Sequence, residues 1–227
     1  MDWILWGVLP YIVLTIFIGG HLYRYQKDQF GWTTKSSELL EKKRLRWGSL
    51  LFHFGIIFVF GGHVLGLIIP IEFYNRVGIS EHTYHILAIA FGLPAGIAVL
   101  IGTILLTFRR IQVKRIKATT SLSDWITLGI LLIVIITGVT ATTLNIDANG
   151  FDYRTTIAPW LRGLFYFNIQ PELMETVPIW FKIHILSTFT LYIIWPFTRL
   201  VHVFSFPIRY LQRSYIIYKK RIPTREV

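Results

Sequence analysis

The sequence predicts an all-α integral membrane protein, a bundle of five transmembrane helices with its N-terminus outside and its C-terminus in the cytoplasm. Its 227 residues are 53% hydrophobic and 15% charged, with a mean hydropathy of +0.54, which argues against a water-soluble globular domain. Five apolar segments approach the roughly 20 residues that an α-helix needs to cross a hydrocarbon core. Lys and Arg residues cluster in alternate connecting segments, which sets the orientation.

The five apolar segments are predicted to be helices because lipid offers no hydrogen-bond partners to an exposed backbone. We number them spans 1 to 5, and they cover residues 3–23, 48–70, 84–108, 124–146 and 179–203. Span 2 is rich in glycine, at Gly55, Gly61, Gly62 and Gly66, which permits close approach of a neighbouring helix or a cofactor. Before span 5, residues 159–167 are amphipathic and could form a short helix in the membrane interface.

The net charge of +11 is explained by topology rather than by a nucleic-acid partner, because the charge lies between apolar spans. The segments between spans 1 and 2 and between spans 3 and 4 are strongly basic, as is the C-terminal tail from about 204 to 227. The other two loops hold only Arg76, Arg154 and Arg162. The positive-inside rule therefore places the tail in the cytoplasm. No basic region precedes span 1, so we expect span 1 to stay as a helix rather than be cleaved as a signal peptide.

The chain has no internal repeat, low-complexity stretch or linker, which predicts one transmembrane domain over residues 1–227. It contains no cysteine. Disulfides, iron-sulfur clusters and thiolate metal sites are thus excluded from this chain.

Four histidines within the spans are the candidate functional residues, because ionisable side chains in a membrane are costly and usually functional. His53 and His63 lie on span 2, and His184 and His202 lie on span 5. The two spans run antiparallel, so matching by depth pairs His53 with His202 on the inner side and His63 with His184 on the outer side. A low-spin haem iron takes two axial imidazoles from opposite faces of its macrocycle. The pattern favours two b-type haems.

Helical phase supports the two spans unequally. The 18 residues from His184 to His202 make five helical turns, or about 27 Å, which places both rings on one face of span 5. The 10 residues from His53 to His63 give about 15 Å and a phase difference of about 80°. Helix tilt and a kink at Pro196 could reconcile the two intervals.

Two other interpretations of the histidines stay open. They could be polar contacts between helices that serine, threonine or backbone groups satisfy, as in a haem-free transporter or assembly factor. A zinc site fits less well, because the spans offer no cysteine and few carboxylates.

Read together, the segments LFHFGIIFVFGGH, FKIHILS and WPFTRLVHVFS resemble the gamma subunit, the cytochrome b, of membrane-bound respiratory nitrate reductase. The resemblance extends to PYIVLTIFIGGHLYRYQKDQFGW, LNIDANGFDYRTT and RSYIIYKKR, and so to nearly the whole chain. It implies a multi-pass protein of a prokaryotic cell membrane with two haem b groups, the outer on His63 and His184 and the inner on His53 and His202.

The resemblance also implies an electron-transfer role in a quinol:nitrate oxidoreductase. Quinol, as menaquinol or ubiquinol, would be oxidised near the outer haem, and Gly62, His82 and His85 lie at the depth to contact it. Electrons would pass inward to an iron-sulfur beta subunit and a molybdenum alpha subunit, which reduces nitrate. The family often has a lysine at this edge of span 3, which is absent here, so the sequence does not assign the proton acceptor.

Arg110 and Arg199 lie on the inner side and could pair with the inner haem propionates through charge-assisted hydrogen bonds. The position of Arg110 matches the family's propionate partner. Alternative functions are a dihaem cytochrome b that serves a different cytoplasmic oxidoreductase and a quinone reductase that runs in the opposite direction.

Overall fold

The computed structural model of this chain describes residues 2–28, 32, 40–147 and 151–204. These residues form helices and turns and contain no strand, and five helices are long and apolar enough to cross a membrane. The five spans are Trp3–Lys27, Lys43–Ile68, Glu81–Gln112, Leu122–Thr143 and Ile179–Phe197. The prediction of an all-α bundle with five spans is therefore confirmed.

Eight α-helices make up the described chain, five within the spans and three in the connections. In order they are α1 (Leu9–Lys27), α2 (Lys43–His63), α3 (Ile71–Arg76), α4 (Glu81–Gln112), α5 (Lys114–Thr119), α6 (Leu122–Thr143), α7 (Ile157–Phe165) and α8 (Ile179–Ile194). Short π-helical turns at Trp3–Val8 and Val64–Ile68 extend α1 and α2.

Helix α4 is longer than the predicted span 3 because side-chain caps, not apolarity alone, set where a helix begins. The Ser80 side chain accepts a hydrogen bond from the Thr83 backbone N–H at the start of α4. Helix α6 likewise begins at a capping box in which Ser121 and Asp124 each bind the other's backbone N–H. These polar residues lie beyond the apolar runs that define the spans in the sequence.

The long helices pack in the order α2, α4, α6, α8 and α1. Within this set α2 and α8 do not pack closely against each other. Because spans that follow one another in the sequence run in opposite directions, the bundle has two ends. We call them the His53 end, where α2 and α6 begin and α4 and α8 end, and the His63 end opposite.

Glycines set the close contact between α2 and α4. A Cβ atom on Gly102 would lie 2.6 Å from the backbone nitrogen of Phe52, and one on Gly55 would lie 2.7 Å from a Val99 methyl group. Gly48 faces Leu106 on the same contact. Small residues allow helices to approach closely in lipid, where dispersion contacts replace the hydrophobic effect between helices. The glycines of span 2 thus include a helix-packing set.

Span 5 is interrupted near its end. Helix α8 ends at Ile194, and 3-10 turns follow at Trp195–Phe197 and Arg199–Phe204. Pro196 lacks the backbone N–H that an α-helix needs, and one Arg24 nitrogen donates at 2.7 Å to each of the carbonyl oxygens of Pro196 and Thr198. The predicted kink is therefore a complete break. The prediction that His184 and His202 share one face of a continuous helix is wrong, because the 18 residues between them do not form five α-helical turns.

The connection between spans 4 and 5 folds onto the His63 end instead of lying free in the interface. Helix α7 buries Trp160 and Leu164 in a cluster with Trp6 and Met174. The Trp160 indole N–H donates to the Trp6 carbonyl oxygen at 2.8 Å. The amphipathic pattern of residues 159–167 correctly indicates a helix, but its apolar face packs against protein. The predicted basic tail, after Phe204, lies outside the described residues.

Candidate functional site

His63 and His184 face each other across the space between α2 and α8. His63 is the last residue of α2, and His184 lies on the second turn of α8. Their ring centres are 6.2 Å apart. The structure thus brings together the two residues that depth matching pairs, and their binding of one haem stays a prediction.

One of the two ring nitrogens of His63 is hydrogen-bonded to the backbone of α2. Nδ1 of His63 lies 2.7 Å from the carbonyl oxygen of Val59, which can only accept a hydrogen bond. Nδ1 therefore carries the proton, and Nε2 has a free lone pair. A hydrogen bond from the far nitrogen fixes the tautomer and raises the basicity of a metal-binding imidazole.

A threonine and a glycine on α6 position the His184 ring. The Thr137 hydroxyl oxygen lies 3.2 Å from Nδ1 of His184 and also hydrogen-bonds the Ile133 carbonyl oxygen at 2.8 Å. A Cβ atom on Gly138 would lie 2.8 Å from Cε1 of His184. The ring thus fits against α6 only because position 138 has no side chain.

The pair has the dimensions of a bis-imidazole metal site. Two imidazole nitrogens bound to one metal at about 2.0 Å place their ring centres about 6.2 Å apart, since each centre lies about 1.1 Å from its nitrogen. A Cβ atom on Gly61 or Gly62, next to His63, would meet no protein atom within 4 Å. Within the described ranges no three His, Cys, Asp or Glu side chains form a metal-binding group. The ring separation and the open space beside Gly61 and Gly62 therefore fit a metal-centred group that His63 and His184 would hold from two helices.

The other predicted pair, His53 and His202, lies at the His53 end on less regular elements. His53 is exposed on α2, and its Nδ1 lies 2.8 Å from the Ser49 carbonyl oxygen. His202 is half-buried on the 3-10 turn Arg199–Phe204, with Nδ1 2.7 Å from the Arg199 carbonyl oxygen. The Nδ1 bond of His53 leaves its Nε2 atom for a ligand. Their pairing on one metal stays a prediction.

Arg110 and Arg199, the predicted propionate partners, meet at one carboxylate. Arg199 Nε lies 2.6 Å from one Asp124 oxygen, and an Arg110 guanidinium nitrogen lies 4.0 Å from the other. Asp124 also belongs to the capping box of α6, in which its carboxylate accepts a hydrogen bond from the Ser121 backbone N–H. Two arginines against one carboxylate leave a net positive charge at the His53 end, which suits an acidic group.

Arg109, next to Arg110 in the sequence, is buried and paired. Its guanidinium donates to the carboxylate of Glu41 at 2.8 Å and to the Glu41 carbonyl oxygen at 2.6 Å. The backbone N–H of Arg44 and the Arg109 guanidinium hold the pKa of the Glu41 carboxyl below its usual value of 4.5. This ion pair joins the segment before α2 to the end of α4, so its role is structural.

The predicted quinol contacts lie at the His63 end but do not form a compact site by themselves. Gly62 and His82 are exposed, and His85 is half-buried, with Nε2 3.4 Å from the Ile146 carbonyl oxygen. His82 and His85 begin α4, the helix that packs on α2. The three residues thus lie at the same end of the bundle, and none of the hydrogen bonds among the described residues joins one of them to another.

The sequence reasoning missed a buried polar cluster between them. Tyr84, which lies between His82 and His85 in sequence, places its hydroxyl 3.2 Å from that of Tyr153. The Arg154 guanidinium lies 4.1 Å above the Tyr84 ring and pairs with Asp152 at 3.0 Å. Only the residues DYR at 152–154, inside a segment quoted for its resemblance, could have pointed to this cluster.

Comparisons with known proteins identify relatives over nearly the full chain. A family model described as nitrate reductase gamma subunit matches residues 2–221. The nitrate reductase gamma chain of Bacillus subtilis (strain 168) is 61% identical over 218 residues, covering 96% of this chain and 98% of that relative. The respiratory nitrate reductase 2 gamma chain of Escherichia coli (strain K12) is 31% identical over 217 residues, 95% of this chain and 96% of that relative.

A longer relative contains a similar region. The nitrate reductase-like protein NarX of Mycobacterium tuberculosis (strain CDC 1551 / Oshkosh) is 41% identical over 223 residues. The match covers 97% of this chain but only 34% of that protein.

Proposed function

Since this chain belongs to the nitrate reductase gamma subunit family, we propose that it is a dihaem b cytochrome that oxidises quinol and delivers the electrons to a nitrate reductase. One haem lies between His63 and His184, and the other between His53 and His202. When bound, each haem iron accepts and releases one electron at a time. The chain is the electron-transfer subunit of a quinol:nitrate oxidoreductase, and nitrate is reduced on partner subunits.

The facing pair of His63 and His184 is the observation that carries the proposal. Its ring separation of 6.2 Å matches that of two imidazoles held on opposite sides of one metal, and α2 and α8 do not pack closely against each other. Polar contact between helices would not need this separation, because two hydrogen-bonded rings approach more closely. The free Nε2 atom of His63 and the room beside Gly61 and Gly62 support a haem at this place.

The protein's own residues would hold the second haem differently. His53 would bind from a regular helix and His202 from a 3-10 turn after the break in span 5. Arg110 and Arg199 would neutralise its propionates with the positive charge left over beside Asp124. The buried ion pair of Arg109 and Glu41 keeps the adjacent segments in place.

Quinol, as menaquinol or ubiquinol, would bind at the His63 end beside Gly62, with His82 and His85 at its border. A neutral imidazole can accept a proton, which suits the oxidation of a quinol. The protein would thus take electrons at the His63 end and give them up at the His53 end.

Orientation and partners follow from charge. Nearly all basic residues of the connecting segments lie at the His53 end, which the positive-inside rule assigns to the cytoplasm. An iron-sulfur beta subunit and a molybdenum alpha subunit would dock there. This chain has no cysteine, so the clusters that carry electrons onward belong to a partner.

A visible spectrum of dithionite-reduced membranes that contain the complete complex tests the proposal, together with alanine at each of the four histidines. His63→Ala and His184→Ala should remove the same b-type band, and His53→Ala and His202→Ala should remove the other. Thr190→Ala is a matched control, because Thr190 lies on the same helix as His184, is exposed, and donates its hydroxyl to the Leu186 carbonyl oxygen. Absence of b-type bands in the unmodified complex, or a shared phenotype of His53→Ala and His184→Ala, would contradict it.

A further inference from the structure

A partly buried pair of tyrosine hydroxyls lies at the His63 end, where spans 2 and 3 meet the loop before α7. Tyr84 belongs to the first turn of α4 and is 9% exposed, and its hydroxyl lies 3.2 Å from that of Tyr153. Both hydroxyls reach the backbone of span 2 at Gly66. A Cβ atom there would lie 2.9 Å from the Tyr84 oxygen and 3.0 Å from the Tyr153 oxygen.

The position of the pair relates it to the electron-transfer site. Gly66 lies three residues after His63, which is less than one helical turn or about 5 Å along the axis. Tyr84 lies between His82 and His85, the proposed quinol contacts on α4. The hydroxyl pair therefore lies close along span 2 to His63 and close along α4 to His82 and His85, the residues near which the proposed function places quinol.

One of the two hydroxyl protons of the pair has no acceptor among the described residues. Two hydroxyls carry two protons, but the bond between them uses only one. The structure gives neither hydroxyl another hydrogen-bond partner among the described residues. By contrast, the neighbouring Tyr74 hydroxyl donates to the Leu65 carbonyl oxygen at 2.7 Å, and its ring contacts that of Tyr84 at 4.9 Å. Tyr74 is satisfied, whereas the Tyr84–Tyr153 pair has a spare donor and spare lone pairs.

The surroundings favour neutral hydroxyls that exchange protons. Burial raises the pKa of Tyr153 above its ordinary value, so the phenol does not ionise at neutral pH. Arg154 is 4% exposed and is neutralised by Asp152, whose oxygens lie 3.0 Å from its guanidinium. Asp152 is half-buried, so the charged side of the cluster reaches toward water at this end.

We propose that the hydroxyls of Tyr84 and Tyr153 form a relay that carries the protons of bound quinol to water at the His63 end. The inference rests on the proposed function, which places quinol there. Oxidation would break two O–H bonds of the quinol, and its two electrons would be taken up one at a time by the haem that His63 and His184 would hold. Each proton enters a lone pair of one hydroxyl while that hydroxyl passes its own proton onward. Both tyrosines end the cycle neutral and unoxidised.

The relay is tested with Tyr84→Phe and Tyr153→Phe in membranes that contain the complete complex. The reductant is menadiol, and the readouts are the rate of haem reduction in H₂O and D₂O and the release of protons to an impermeant dye. Each variant should reduce its haems about ten- to a hundredfold more slowly, since positioned proton transfer contributes about 10²- to 10⁴-fold and water can replace part of it. The solvent isotope effect should rise, and the dithionite-reduced spectrum should stay unchanged.

Tyr74→Phe is the matched control, because it removes a neighbouring hydroxyl whose proton is already donated to the Leu65 carbonyl oxygen. It should keep the wild-type rate and isotope effect. Wild-type rates and isotope effects in both Tyr84→Phe and Tyr153→Phe would overturn the relay while leaving the proposed function intact. Loss of haem in both variants would assign the pair a structural role and also overturn it. Failure of menadiol to reduce the haems of the wild type would overturn the proposed function and the relay together.

Discussion

The His184 ring lies where Gly138 leaves room for it on α6. A Cβ atom at position 138 would approach the ring to 2.8 Å, closer than unbonded carbon atoms normally come. The imidazole cannot retreat freely, because Thr137 holds its Nδ1 atom at 3.2 Å. The choice of glycine at this position thus decides where Nε2 points.

Gly138→Val should therefore displace His184 and remove one b-type haem. Overpacking of this kind typically costs about 1–3 kcal/mol, and here the displaced group is the proposed ligand itself. The reduced spectrum should lose the band that His184→Ala loses. Gly129→Val on the same helix is the control, because a Cβ atom there meets nothing within 4 Å. Two intact bands in Gly138→Val would show that the ring position does not depend on this glycine.

A hydrogen bond between Nδ1 and a backbone carbonyl oxygen does not by itself identify a histidine that binds haem iron. His21 on α1 has Nδ1 2.6 Å from the Phe17 carbonyl oxygen, the same pattern as His63. Its ring, however, lies among Phe17, Trp32 and Phe204. What distinguishes His63 and His184 is the opposed second ring, which follows from the arrangement of two helices.

Among the elements, the break in span 5 has the largest effect on the site. It moves His202 from an α-helix to a 3-10 turn, and Arg24 compensates by donating to two of the carbonyl oxygens that the break leaves unpaired. Helix α1 can approach the break because a Cβ atom on Gly20 would lie 2.8 Å from Pro196. The position of His202 thus depends on a contact with span 1.

Gly20→Leu should push the broken segment away from α1 and disturb His202 without touching His63 or His184. We expect loss or a spectral shift of the haem assigned to His53 and His202, and a lower unfolding temperature of the detergent-solubilised complex. Gly19→Leu is a close control, since the adjacent position has no atom within 4 Å of a Cβ. The same spectrum in both variants would contradict a role of the α1 contact in placing His202.

Across the whole molecule, charge separates the two ends of the bundle. The His53 end carries the basic connecting segments and the Arg110, Arg199 and Asp124 cluster, whereas the His63 end carries the buried tyrosines and few cations. If electrons move from the His63 end to the His53 end, one charge crosses the bilayer per electron. Each such charge is worth about 2.3 kcal/mol per 100 mV of potential.

Right-side-out spheroplasts given menadiol and nitrate should therefore acidify the medium, because quinol protons are released on the outer face. External pH measured with a glass electrode checks the prediction, and an uncoupler should abolish the lasting change. A His63→Ala strain, which lacks the proposed outer ligand, should release no protons. Acidification of the interior instead would reverse the proposed orientation.

Apolarity predicted the spans well because lipid admits few alternatives to an α-helix. All five predicted segments overlap observed spans, and the errors at their ends come from polar caps such as Ser80 and Ser121, which apolarity does not record. Depth matching paired His63 with His184 because it requires only that spans 2 and 5 run in opposite directions. Helical phase misled in span 5, because it assumes a continuous helix and Pro196 ends it.

The sequence by itself determined the five membrane-spanning helices, the asymmetry of charge and the four candidate histidines, since these depend on composition and on distances along the chain. Only the tertiary structure decided that Gly138 accommodates His184, that Arg24 supports the break before His202, and that Tyr84 meets Tyr153. Each of these contacts joins residues from different elements, and local spacing carries no information on which side chains from distant segments meet. The 6.2 Å separation of the His63 and His184 rings, on which the proposed function rests, is likewise set by the tertiary structure.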